Sequence, residues 1–178
     1  MADEEIIVLM KIPGIEGNST LVGFDPEPGE THVGWLPLEG CSFEMSRKAS
    51  GTEADEGELG DSAQKIPIKV EKLDIKRTSD SATADLIGWL ANESEGRKKD
   101  DVIIDYVARS GRYFLRYVLD GADLVSCKLS VDDEGNVQEE FELTYDYLAI
   151  HHRRINSAGQ VEVDSETMVD YEVDQLSD

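Results

Sequence analysis

The chain has 178 residues, and its 39 Asp and Glu against 17 Lys and Arg give a formal charge of −22. That length suits one domain with a sizeable core, and a hydrophobic share of 39% excludes a chain disordered throughout. The charge argues against nucleic acid and anionic lipid as direct partners, since both require a basic footprint.

The first residues, Met1-Ala2-Asp3-Glu4-Glu5, are the reverse of a signal peptide's positive start. No apolar run approaches the ~20 residues that span a bilayer, so no membrane insertion is expected and synthesis in a reduced cytosolic compartment is the default. Cys41 and Cys127 are too few and too scattered for a disulfide scaffold or a metal cluster. Buried free thiols are the favoured reading, with a bridge between the two left open.

Ile6 to Ile12, IIVLMKI, reads as a first strand broken by Pro13-Gly14. Residues 25–31, DPEPGET, form a turn-rich connection. A second strand region runs from His32 to about Met45, interrupted near Pro37 and Gly40. Residues 49–62 hold Glu53, Asp55, Glu56, Glu58 and Asp61, no base, three glycines and one large apolar residue, Leu59. They read as a long loop, whose length favours a functional or mobile role. In 64–77, Ile66, Ile68 and Val70 share one parity while Leu73 and Ile75 share the other. A β-bulge near Glu71-Lys72 would bring both sets to one face.

The pattern SATADLIGWLANES predicts a helix over 81–94, with Ser79, Asp80 and Ser81 as candidate N-caps. Ala82, Leu86 and Trp89 stack along one face, and Ala84, Ile87, Leu90 and Ala91 widen the stripe. Gly96 stops the helix, and Arg97-Lys98-Lys99 suit the negative end of its dipole. Strands then run Val102–Arg109, Tyr113–Leu119, Ala122–Val131 and Val137–Ile150, separated by Ser110-Gly111, Asp120-Gly121 and 132–136. Asp120-Gly121 reads either as a hairpin separator or as a bend within one long strand. Residues 1–160 are expected to form one domain, mainly β: an antiparallel barrel or sandwich with one packed α-helix. Residues 161–178 form an acidic C-terminal extension with seven acids and no base.

The chain offers little chemistry. His151 and His152 are sequence neighbours on a strand, so they face opposite sides and cannot share a metal. With Arg153 and Arg154 they make a local basic patch, read as a solvated strand end or as a docking spot for an acidic neighbour. Asp132-Asp133-Glu134-Gly135-Asn136 lacks the spacing of a calcium loop and is better read as a hairpin turn. No nucleophile elbow, phosphate loop or dinucleotide fingerprint occurs, and no base lies near Cys41 or Ser42 in sequence. No catalytic, cofactor-binding or metal-binding residue is nominated, and no enzyme function is expected.

Several segments resemble the haemolysin-coregulated protein family, Hcp, the tube component of bacterial type VI secretion systems. IIVLMKIPGIEGNS resembles the family's first strand and turn, and HVGWLPLEGCSFEMSRKAS its next strand and the opening of an extended loop. KIPIKVEKLDIKRTSDSATADLIGWLANESEG, from Lys65 to Gly96, carries the most specific part, a strand followed by the helix block. VIIDYVARSG, YFLRYVLDGADLVSCKLS and the stretch from Glu140 to Gly159 resemble the later strands. The resemblance covers about residues 5–160 and lies in the order and spacing of short motifs.

This resemblance implies a small two-sheet antiparallel β-barrel with one flanking α-helix, whose copies close into a hexameric ring. Rings stack into a tube inside a contractile sheath, and contraction expels the tube with its spike from the cell. The lumen is expected to carry small effectors. Export is then independent of a signal peptide, and neither cofactor nor nucleic acid is implied. Subunit or ring contacts are expected from the loop and its approach, at Arg47, Lys48, Glu53, Asp55, Glu56, Glu58 and Leu59. Further contacts are expected at Trp89, Arg97, Lys98 and Lys99 on the helix flank, and at His151, His152, Arg153 and Arg154. Three features depart from the family pattern: the acidity of 49–62, the acidic stretch from Glu162 onward, and the HHRR cluster. A phage-like tail-tube subunit and a small monomeric β-barrel binding module are the alternatives.

Overall fold

Two-residue alternation turns one side of a strand inward and the other outward, and it organises most of this molecule. The computed structural model describes residues 6–22, 31–47, 68–70, 72–92, 99, 101–108 and 110–170. In chain order the elements are β1 (Ile7–Lys11), β2 (Leu36–Leu38), β3 (Gly40–Ser42), β4 (Met45–Arg47), β5 (Ile68–Val70) and β6 (Leu73–Thr78). The helix α1 (Thr83–Ala91) follows, then β7 (Val102–Val107), β8 (Tyr113–Asp120), β9 (Asp123–Val131), β10 (Val137–Thr144), β11 (Tyr147–Ile155) and β12 (Val161–Asp170).

A six-stranded sheet has the order β12-β11-β8-β7-β1-β2, and a four-stranded sheet the order β3-β6-β10-β9. The pair β4-β5 forms a separate two-stranded ladder. Met10, Leu36, Ile104, Leu119 and Leu148 of the large sheet share one buried core with Leu73, Ile75, Phe141 and Leu143 of the small one. The expected antiparallel two-sheet fold with one helix is therefore the observed one. Among the described strands the two ladders stay open, and shared core packing rather than a closed hydrogen-bonded circuit joins the sheets.

Two corners carry the chain between sheets. Residues 137–150, which read as a single strand, belong to β10 in one sheet and β11 in the other, with Tyr145-Asp146 between them. Gly121 turns β8 into β9 in the same way, so Asp120-Gly121 is a bend and not a hairpin. The corners are bonded to each other, since the Asp146 N–H donates to the Asp120 carbonyl at 2.9 Å. Leu143 faces Leu124 before the corner and Tyr147 faces Asp120 after it, so the register is unbroken. Gly121 has φ +64°, and a Cβ there would collide with the Asp146 carboxylate.

The region from His32 to Met45 is strand only in three short pieces, β2, β3 and β4. β2 stays in the large sheet, β3 enters the small one, and β4 leaves it to pair with β5. Cys41 faces Ile75 in one ladder and Met45 faces Val70 in the next, so the register slips by one residue between them. The extra residue lies between Val70 and Asp74, where the parity change near Glu71-Lys72 predicts a bulge. The chain thus runs out to Arg47 and returns from Ile68 on one two-stranded stem. The acidic loop 49–62 lies outside the described residues.

The helix is shorter than the predicted 81–94. Asp80 prepares its start by accepting the Ala82 N–H at 2.9 Å, while no side chain caps Ala82's own position. Ala82, Leu86 and Trp89 enter the core; Ala84, Ile87 and Ala91 stay exposed and Leu90 is half-buried, so the buried stripe is the narrow one. The hairpin turn at 132–136 forms as expected. Asp132 accepts the N–H groups of Glu134 at 3.0 Å and Asn136 at 2.8 Å. The Asn136 backbone bond is the main cause that holds the Asp132 carboxyl below its ordinary range. Cys41, Ile75, Phe141 and Cys127 lie in one row across the small sheet. Three strand spacings, about 14 Å, separate the two thiols, too far for a bridge; both are free.

Candidate assembly surfaces

The run VIIDYV of β7 is apolar on both faces, which fits a strand covered on both sides. Val102 and Ile104 face the main core, while Val107 joins Leu9, Trp35 and Tyr113 in a second cluster. Residues 17–19 and 32–35 are tied together by backbone bonds, among them Gly17 N–H to Gly34 C=O at 2.8 Å and Ser19 N–H to Trp35 C=O at 3.0 Å. A Cβ on Gly17 would collide with the Trp35 carbonyl, so only glycine lets these two stretches run so close.

Asp105 is the one acid in VIIDYV, and it is fully buried. Its carboxylate accepts the His32 Nε2–H at 2.8 Å and a two-pronged donation from Arg116, Nε and Nη2 each at 2.6 Å. Burial would depress the Arg116 pKa, but the hydrogen bonds and charge of Asp105 outweigh it and raise the value. The register shift opposite Tyr106 and Val107 leaves Phe114 without a cross-strand partner and places Tyr113 on the same side as Arg116. The guanidinium of Arg116 then lies 3.9 Å from the centre of the Tyr113 ring, and that of Arg153 lies 4.1 Å from it.

The HHRR cluster lies on β11 beside β12. His151 meets Glu166 at 3.8 Å, Arg153 meets Asp164 at 3.2 Å, and Arg154 meets Glu162 at 3.3 Å. The acidic neighbour of this basic patch is therefore the following strand of the same chain. His151 and Arg153 share one side, His152 and Arg154 the more exposed other. Within the acidic C-terminal stretch, residues 161–170 form an edge strand of the large sheet.

The helix flank brings two nominated residues together. Lys99 Nζ stands 5.7 Å from the centre of the Trp89 ring. They line a groove of about 310 Å³ with Gly14, Asp85, Gly88 and Asn92. Trp89 itself is buried and belongs to the main core. Arg47 ends β4; Lys48, Glu53, Asp55, Glu56, Glu58, Leu59, Arg97 and Lys98 lie outside the described residues.

A second polar centre escaped the sequence reading. Leu73, Ile75 and Arg77 share the buried parity of β6, and Glu139 shares that of Phe141 on β10. Glu139 and Arg77 are direct cross-strand partners, with Arg77 Nε 3.6 Å from Glu139 Oε2. Arg77 also pairs with Asp80, and Thr83 donates to Glu139, so the group pins the start of α1 to the small sheet. The usable signal was a charge at a buried parity position on each of two strands.

Cys41 lies near an aromatic group in which Phe43 and Tyr106 each meet Tyr117 edge-on, at 5.2 and 5.5 Å. Burial pushes the Cys41 thiol up to about 11, so it is protonated at neutral pH and is no nucleophile.

Known proteins give the architecture its context. A family profile described as "Type VI secretion system effector, Hcp" matches residues 9–152. No curated protein matches the sequence. A solved structure of a type six secretion system protein superposes with a TM-score of 0.75 at 13% identity, covering 93% of this chain and 96% of its own. Hcp1 from Salmonella typhimurium gives 0.67 at 15% identity, covering 93% and 95%. Secreted protein Hcp3 from Pseudomonas aeruginosa gives 0.60 at 17% identity, covering 94% and 99%. At such identities the superpositions show a shared fold, while the profile spans most of the chain; the chain belongs to the Hcp family of type VI secretion proteins.

Proposed function

We propose that this chain is a structural tube subunit whose copies close into a hexameric ring. The rings stack into a tube inside a contractile sheath, and the tube leaves the cell with its spike by a route that needs no signal peptide. The lumen carries small effectors, and the chain itself performs no chemistry. The observation that carries the reading is family membership across residues 9–152.

The stem β4-β5 adds local support. It delivers the loop from a two-stranded base, the form of an arm reaching a neighbouring subunit or ring. Loop residues Glu53, Asp55, Glu56, Glu58 and Leu59 are the contacts assigned to that arm. Trp89 and Lys99 mark the helix flank as a second contact region.

Deleting residues 51–60 is the corresponding test. The shortened chain is expected to keep its far-UV circular dichroism and melt cooperatively, because the deleted stretch holds four acids, three glycines and a single large apolar residue, Leu59. Negative-stain images of the intact chain should show doughnuts or stacked rings, and the deletion should lose ring closure or stacking. Intact rings and tubes from the deletion would refute the role given to the arm.

A further inference from the structure

The two long free strand edges of the described chain belong to different sheets. β9 ends the four-stranded sheet and β12 the six-stranded one. The opposite edges, β2 and β3, are only three residues each, against nine for β9 and ten for β12. Among the described residues, no strand pairs with the outer side of β9 or of β12. Such a row of N–H and C=O groups is a template for another strand.

The two edges also differ in charge. β9 holds one base, Lys128, and one acid, Asp123 at its first residue, so Leu124 to Val131 carries no acid. Lys128, 3.7 Å from Glu140 on β10, is well exposed, as are Leu129 at 48% and Val131 at 68%. β12 holds Glu162, Asp164, Glu166 and Asp170 with no base, and exposes Val161, Val163 and Met168. On a chain of net −22, most surfaces repel β12; the apolar, Lys-bearing edge of β9 does not.

We propose that β9 of one copy pairs along its open edge with β12 of the next. This rests on the ring reading and specifies its contact. A ring of identical copies needs a heterologous interface made of two unlike surfaces. Each copy supplies one edge of each kind, so closure uses every long edge and leaves none to template aggregation. Glu162, Asp164 and Glu166 remain about half exposed beside Arg154, Arg153 and His151, which leaves carboxylate surface for a neighbour's Lys128.

Two double variants of the full chain separate this contact from simple loss of apolar surface. Leu129→Glu with Val131→Glu places acids against the acidic strand; Leu129→Lys with Val131→Lys places bases there. Both sites are exposed, but Leu129 stands opposite Glu139 on β10. The Glu variant is therefore expected to melt somewhat below the unassembled parent and the Lys variant to match it, with both folded at the assay temperature. By light scattering at the lowest salt at which the parent holds its ring, the Glu variant is expected to lose the ring and run as a monomer, while the Lys variant keeps it. Hydrogen exchange should show the outward-facing alternate amides of 125–131 and 161–169 protected in the parent ring and unprotected in the Glu monomer, while the amides bonded to β10 and β11 stay protected in both. Rings from the Glu variant, or equal dissociation of both variants, would overturn the edge assignment and leave the ring reading standing. A parent chain monomeric at every salt concentration would overturn both.

Discussion

Arg77→Met is expected to destabilise the fold by about 3–5 kcal/mol, the cost of breaking a buried ion pair from one side. Arg77 and Glu139 are both fully buried, and Glu139 would be left with the Thr83 hydroxyl as its polar partner. Asp80 is 13% exposed, so it can recover hydration when Arg77 is removed. Adding Glu139→Leu should therefore restore a large share of the loss, because replacing both partners removes the stranded charge. Urea unfolding followed by circular dichroism checks this, with the midpoint shifted and the slope unchanged. If the double variant is as unstable as the two single losses added together, the pair is not coupled as described.

Asp105→Ala is expected to cost about 3 kcal/mol, at the lower end of the range for a buried pair broken from one side. Arg116 is 21% exposed and can turn toward water, which limits the loss, whereas His32 is 1% exposed and cannot. The damage should also be local. His32 is a buried polar contact between the covering segment and β7, so amides of 17–22 and 31–35 should exchange faster than those of β10. Trp35, whose ring meets His32 edge-on at 4.6 Å, reports the same event by fluorescence. Uniform loss of protection across both sheets would contradict the view of Asp105 as a pin for that segment.

What the sequence disclosed depends on how local each signal is. The alternation of Phe141, Leu143 and their neighbours placed β10, and the stripe Ala82, Leu86, Trp89 placed α1. The parity change after Val70 placed the register slip of the arm. The corners were harder, because a strand that bends at Gly121 or Tyr145-Asp146 keeps its alternation while changing sheets. Arg77, Asp105 and Glu139 were hidden for a related reason. A charge at a buried position is legible only beside its partner, and cross-strand partners such as Arg77 and Glu139 are far apart in sequence. The HHRR patch lacked context until β12 was seen to supply Glu162, Asp164 and Glu166. Edges such as β9 leave no local pattern, since being unpaired is a property of the whole sheet.

Charge now has a place as well as a size. Residues 49–62 and 161–178 hold twelve acids and no base, so much of the net −22 sits in the loop and the last strand with its tail. Like charges on adjoining copies oppose closure, and added salt screens them over roughly 10 Å at 0.1 M. Light scattering coupled to size exclusion, run on the intact chain from low to high salt, tests the ring most directly. The expected result is a species of about six times the monomer mass, whose share grows as ionic strength rises. A monomer at every salt concentration would contradict the ring.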